Sequence, residues 1–215
     1  MRAWKQGVAA AALAAGLAGA APAEAALVTY QFTGTVTFVD PALGGTFSNG
    51  QALSGSWTVD DSVPPFPGST VASATFLALT GFGITIGGYS ASAIGGAVAI
   101  TNDTFSQNDS YRVSPAPLSG PAVAGLPLVS GTLLMVDTTN AVFGAANGPL
   151  QTGFSLSDFN IRSVNLAFRF SEDQRVSVAG NLTSLTQVAV PEPSTLALLG
   201  LGLAGLAGLG RRRAG

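Results

Sequence analysis

Residues 26–39 read ALVTYQFTGTVTFV. Val28, Tyr30, Phe32, Val36 and Phe38 share one parity, with Gly34 in the same series, while positions 29, 31, 33, 35 and 37 are threonine or glutamine. A helix would scatter this pattern around its circumference, whereas a strand places every apolar group on one face. The stretch is therefore one long strand, or two meeting at a bend at Gly34, with one face in a core and the other in water. Thr29, Thr33, Thr35 and Thr37 have the regularity of an ice- or polysaccharide-binding face, but a solvated strand face accounts for them as well.

The same alternation recurs along the chain. Leu53, Trp57 and Val59 lie on the apolar face of a second strand, which places Trp57 in the core, and Asp60-Asp61 followed by Pro64, Pro65 and Pro67 ends it. Further strands are predicted over 71–80, 82–90 (with Gly87-Gly88 as turn or bulge), 97–101, 111–114, 129–136, 161–170 and 176–185. Residues 102–110 read as a polar turn, 115–127 as a Pro/Gly/Ala loop and 137–152 as a loop with a short helix near 139–143, and Ser155–Asp158 begins a turn. No stretch of this body carries a sustained 3.6-residue stripe, and no unit of 20–50 residues repeats. The fold class is all-β: a single antiparallel β-sandwich or jelly-roll-like domain over 26–189, with a closed barrel as the near alternative.

Within 26–189 the cations are Arg112, Arg162, Arg169 and Arg175, set against Asp40, Asp60, Asp61, Asp103, Asp109, Asp137, Asp158, Glu172 and Asp173. The body is net acidic and contains no lysine, which excludes nucleic-acid binding through phosphate neutralisation. There is no cysteine to staple the fold and no histidine. Ser-His and Cys-His nucleophiles, ordinary zinc sites, haem and iron–sulfur ligation are thereby excluded. No enzyme activity and no cofactor are expected. Carboxylate chemistry remains: Asp60 and Asp61 diverge at a strand end, whereas Asp137 and Asp158 flank strands and would have to converge to serve as a glycosidase pair. Asn102, Asp103 and Asp109 offer hard oxygen donors to calcium, although Asn and Asp equally build ordinary turns and the EF-hand spacing is missing.

The ends differ from the body. A basic head, Arg2 and Lys5, precedes an Ala/Leu/Gly run over 8–21, and Ala23-Glu24-Ala25 offers small residues for cleavage after Ala25 or Ala23. That is the layout of a secretory signal peptide over 1–25, and the run is too short for a membrane span. At the other end Pro191-Glu192-Pro193 is followed by sixteen residues of Leu, Ala, Gly and one Thr over 195–210, then Arg211, Arg212 and Arg213. As a helix those sixteen residues span about 24 Å, marginal for a hydrocarbon core of about 30 Å. The arginines would lie on the cytoplasmic side, with the body outside. Pro193 biases Glu192 away from helix, so the tripeptide is extended at the membrane surface.

This tail resembles the PEP-CTERM protein-sorting signal of bacteria: VPEPST, a Leu/Ala/Gly segment and an Arg cluster, in that order, behind an N-terminal signal. The resemblance covers 190–213 and implies recognition by an exosortase at Pro191, Glu192 and Pro193. It implies a transient membrane segment from Leu196 to Leu209, a basic stop at Arg211–Arg213 and release of the body to the cell surface or beyond. FTGTVTFVD, LSGSWTVDD and TNDTFSQNDSYRV are similar to segments of other such bodies. The implied role is a structural or adhesive protein of the surface or extracellular matrix, associated with exopolysaccharide or biofilm. The alternatives are a carbohydrate- or calcium-binding module and, behind it, a carboxylate-dependent hydrolase.

Overall fold

A computed structural model describes residues 27–103 and 108–188. The predicted signal peptide and the tail, including Ala23, Ala25, Pro191–Pro193, Leu196, Leu209 and Arg211–Arg213, lie outside the described residues. Nine strands follow one another: β1 (Leu27–Val39), β2 (Ala52–Asp60), β3 (Ser73–Ile86), β4 (Tyr89–Ala93), β5 (Gly96–Asp103), β6 (Asn108–Pro115), β7 (Leu128–Asp137), β8 (Ile161–Arg169) and β9 (Arg175–Val188). Two single 3₁₀ turns, Pro41–Leu43 and Leu156–Asp158, are the helical elements among the described residues.

Each strand pairs antiparallel with its neighbour in sequence, except that β4 and β5 both pair with β3, and β9 returns to pair with β1 from Thr29↔Val188 to Val39↔Val178. The sheet is thus an up-and-down barrel with no open edges. Leu79 pairs with Val59 on one side and Gly96 on the other, so β4 and β5 both lie on the side of β3 opposite β2. They act as one staggered strand broken at Ile94-Gly95, leaving eight around the barrel. The sandwich or jelly-roll expectation is corrected here. Alternation requires one buried face per strand, and a single sheet curled on itself meets that demand as well as two stacked sheets do.

Local details follow from the chain. The expected bend at Gly34 is a register shift between Thr33 and Gly34 in the β1–β9 ladder. The predicted strands 71–80 and 82–90 are corrected to one strand, β3: the ladder slips register between Thr58↔Gly81 and Val59↔Leu79 but the strand runs on, and the chain first turns at Gly87-Gly88. The predicted helix near 139–143 is absent; those residues form a turn held by two buried carboxylates.

Inward positions fill the barrel. Tyr30, Trp57, Phe76, Val98, Ile100, Tyr111, Val113, Leu133, Met135 and Phe168 are fully buried. Trp57 stacks on Tyr30 with centroids 4.7 Å apart, and Phe32 packs 5.8 Å from Trp57. An eight-stranded barrel is just wide enough for such a filling. Outside, Thr33 and Ser184 share a hydrogen bond of 2.6 Å across β1 and β9, and Thr35 and Thr37 are exposed. Apolar-in and polar-out is the reverse of the pattern on a barrel that faces lipid.

Gly55 is needed where strands crowd. A Cβ there would sit 2.2 Å from the Gly83 carbonyl oxygen and 2.4 Å from the Phe32 ring. Since backbone cannot yield cheaply, Gly55→Ala should destabilise the protein by about 3 kcal/mol, at the upper end of ordinary overpacking. Denaturant unfolding with tryptophan fluorescence measures this.

Candidate functional site

In an up-and-down barrel of eight strands both chain ends emerge at the same end. That end also carries the connections 61–72 and 138–160, the end of β5 and the start of β6. Parity places polar groups there inside the barrel. Asn102 follows Val98 and Ile100 in the inward series of β5, Asp109 precedes Tyr111 and Val113 in β6, and Asp137 follows Leu133 and Met135 in β7. The three lie in one row, because Asn102 pairs with Asp109 and Asp109 with Asp137. Asp109 is 0% exposed, Asp137 4% and Asn102 8%.

Burying carboxylates is costly unless donors meet them. The donors come from the loop that follows β7. Asp109 Oδ2 accepts the backbone N–H of Val142 and of Phe143, each at 2.7 Å. Asp137 accepts the Thr139 N–H and hydroxyl at 2.9 and 2.7 Å and the Ala141 N–H at 2.9 Å. These bonds fold residues 138–143 back across the barrel mouth. The bond from Ala141, followed by those from Thr139, favours the ionised form and holds Asp137 below its ordinary value of 3.8.

The second half of the loop closes over the first. Leu150, Leu156 and Phe159 are buried. Phe154 lies parallel to Tyr30 at 5.2 Å and 4.6 Å from Tyr111, and the Tyr30 hydroxyl donates to the Thr152 carbonyl. Burial, and secondarily the charge of Asp61, raises the Tyr30 phenol well above its usual range. Asp158 caps its turn by accepting the Ser155 N–H at 2.7 Å.

Between the two halves lies a depression of about 480 Å³ whose lining includes Asp137, Thr139, Gln151, Phe154 and Asp158. The structure thus brings Asp137 and Asp158 to one surface, while Asp60 and Asp61 end β2 elsewhere on the same rim. A glycosidase pair needs one carboxyl protonated and its partner ionised near neutrality, and Asp137, held below its ordinary value, has the direction of the ionised member. Of the calcium candidates, Asn102 and Asp109 sit in adjoining strands rather than in a turn, and the Asp103 side chain lies outside the described residues. Among the described residues no three acidic, histidine or cysteine side chains converge to hold a metal. The bond from Asp109 to a loop 33 residues away was missed by the sequence reading; its signal was an aspartate on the inward parity of a strand.

β9 ends at Val188, and the next residues are the ones the tail analysis singled out. Residues 189–213 match the PEP-CTERM protein-sorting motif. The PEP-CTERM match begins one residue after the last ladder pair of the barrel. It implies an exported protein, anchored transiently in the membrane and sorted by an exosortase. No helix among the described residues is long and apolar enough to cross a membrane, and the matched segment itself lies outside them. No curated protein and no solved structure matches the chain significantly.

Asp109→Ala strips the partner from two loop N–H groups, and each such loss costs about 1–3 kcal/mol. The variant should lose about 3 kcal/mol of stability, and the Val142 and Phe143 amides should exchange with solvent far faster, as hydrogen exchange will register. Because the folded pKa of Asp137 lies below its unfolded value, its contribution is full above about pH 4 and is lost as pH falls further. Unfolding midpoints below pH 4 should therefore fall less steeply in Asp137→Asn than in the parent.

Proposed function

We propose that this chain is a non-enzymatic exported protein of the cell surface or extracellular matrix, a structural or adhesive β-barrel associated with exopolysaccharide or biofilm. Its signal peptide over 1–25 directs export. The segment from Leu196 to Leu209 anchors it provisionally, and processing near Pro191–Pro193 releases the barrel. The observation that carries this reading is the sorting motif, which starts where the barrel ends. A barrel filled by its own aromatic side chains, with a hydroxyl-rich exterior, supports a structural or adhesive role over one that needs an internal ligand cavity. A second reading, a carbohydrate-binding module, is favoured by the depression between Phe154, Gln151 and the two carboxylates.

Replacement of Pro191, Glu192 and Pro193 by alanine should leave the unprocessed protein in the membrane fraction of its native host, as fractionation and mass spectrometry of the C-terminus would show. Normal release of that variant would overturn the sorting reading.

A further inference from the structure

Val188 still pairs with Thr29 in the wall of the barrel, and Pro191 is three residues further on. A fully extended chain gains at most about 3.6 Å per residue, so Pro191 lies within about 11 Å of the last ladder pair and Pro193 within about 18 Å. An enzyme that grips this tripeptide works within about 18 Å of the barrel end. It therefore meets the barrel end itself at the moment of processing.

That end is acidic. Asp60 and Asp61 stand at the close of β2, with Asp60 paired to Leu27 on the strand beside β9. Asp158 is exposed on the 138–160 loop. Among the described residues Arg162, at the start of β8, is the arginine of this end, and it donates to the Phe159 carbonyl at 2.7 Å. At the opposite end Arg169 and Arg175 flank Glu172 and Asp173 around the β8–β9 turn, with Asp40 following β1, so both signs are present there. Charge of one sign is thus concentrated where the tether leaves. An anionic lipid surface would repel this rim, whereas a cationic protein face would be attracted to it.

We propose that the processing enzyme recognises the folded barrel as well as its tail: the rim formed by Asp60, Asp61 and Asp158 docks on an electropositive face of that enzyme. This rests on the sorting reading and adds to it a second, electrostatic determinant. The short leash holds the rim in place, and the rim charges set the rate of productive encounter.

The test is pulse–chase conversion of the full-length precursor in its native host. Combined Asp60→Asn, Asp61→Asn and Asp158→Asn should slow conversion about fivefold, while Glu172→Gln with Asp173→Asn at the far end should convert at the parental rate. Asp60 and Asp158 also bond their own turns, so melting of the released proteins checks that each variant folds. A fifteen-residue Gly/Ser insertion after Val188, which touches no residue of the barrel, should make conversion indifferent to the three acids. Conversion of the rim variant at the parental rate overturns the proposal. So does faster conversion, which would mean that repulsion from the membrane governs the step. Alanine replacement of Pro191–Pro193 in parallel separates the two failures. If that variant is blocked and the rim variant is not, docking fails and sorting stands. If both convert normally, sorting itself fails.

Discussion

The pairing of β1 with β9 is the interaction on which the remaining structure depends. A meander of sequential strands has two open edges, and open edges invite pairing between molecules. Here the first and last strands satisfy one another along ten residue pairs. The contact joins segments about 150 residues apart, so its closing entropy is high and no disulfide assists it. Burial of Tyr30, Phe32 and Val36 from β1 with Val178 and Leu182 from β9 supplies the compensating stabilisation.

Closure also dictates chemistry at the barrel mouth. Once the strands are curled, inward parity at the start of β6 and the end of β7 can no longer be met by apolar groups alone, because the loop above brings its own backbone N–H groups. Asp109 and Asp137 accept those groups, and the loop becomes a packed cover rather than an open segment. Phe154 then seats between Tyr30 and Tyr111, joining the cover to the aromatic filling. The depression on this cover exists because the two halves of the loop are held by different anchors, carboxylates on one side and aromatic rings on the other.

Much of this was legible in the residues. Every strand of the barrel wall except the short β4 was marked by alternation, Trp57 was placed in the core by its parity, and the Gly34 bend coincides with a register slip. The short β4 and the continuity of β3 through Gly81 were less legible, because glycine weakens an alternating signal without necessarily breaking a ladder. The helix expected near 139–143 failed because propensity is a weak prior beside five hydrogen bonds to two buried carboxylates. Asp137 and Asp158 were singled out as a pair needing convergence, yet neither composition nor spacing states whether a long loop folds inward or outward.

By itself the sequence determined the strand content, the inward and outward faces except where a register slip after Val36 turns Phe38 outward, the absence of histidine and cysteine chemistry, and the sorting tail. These are local properties: a period of two, a residue inventory, a contiguous motif. The tertiary structure alone decided that one sheet closes on itself instead of stacking as two, since both arrangements bury the same face of every strand. It also decided that Asp109 meets Val142 and Phe143, and that β1 begins and β9 stops at the same end of the barrel. Those outcomes depend on register and on an even number of strands around the barrel, and both are settled only when β9 finds β1.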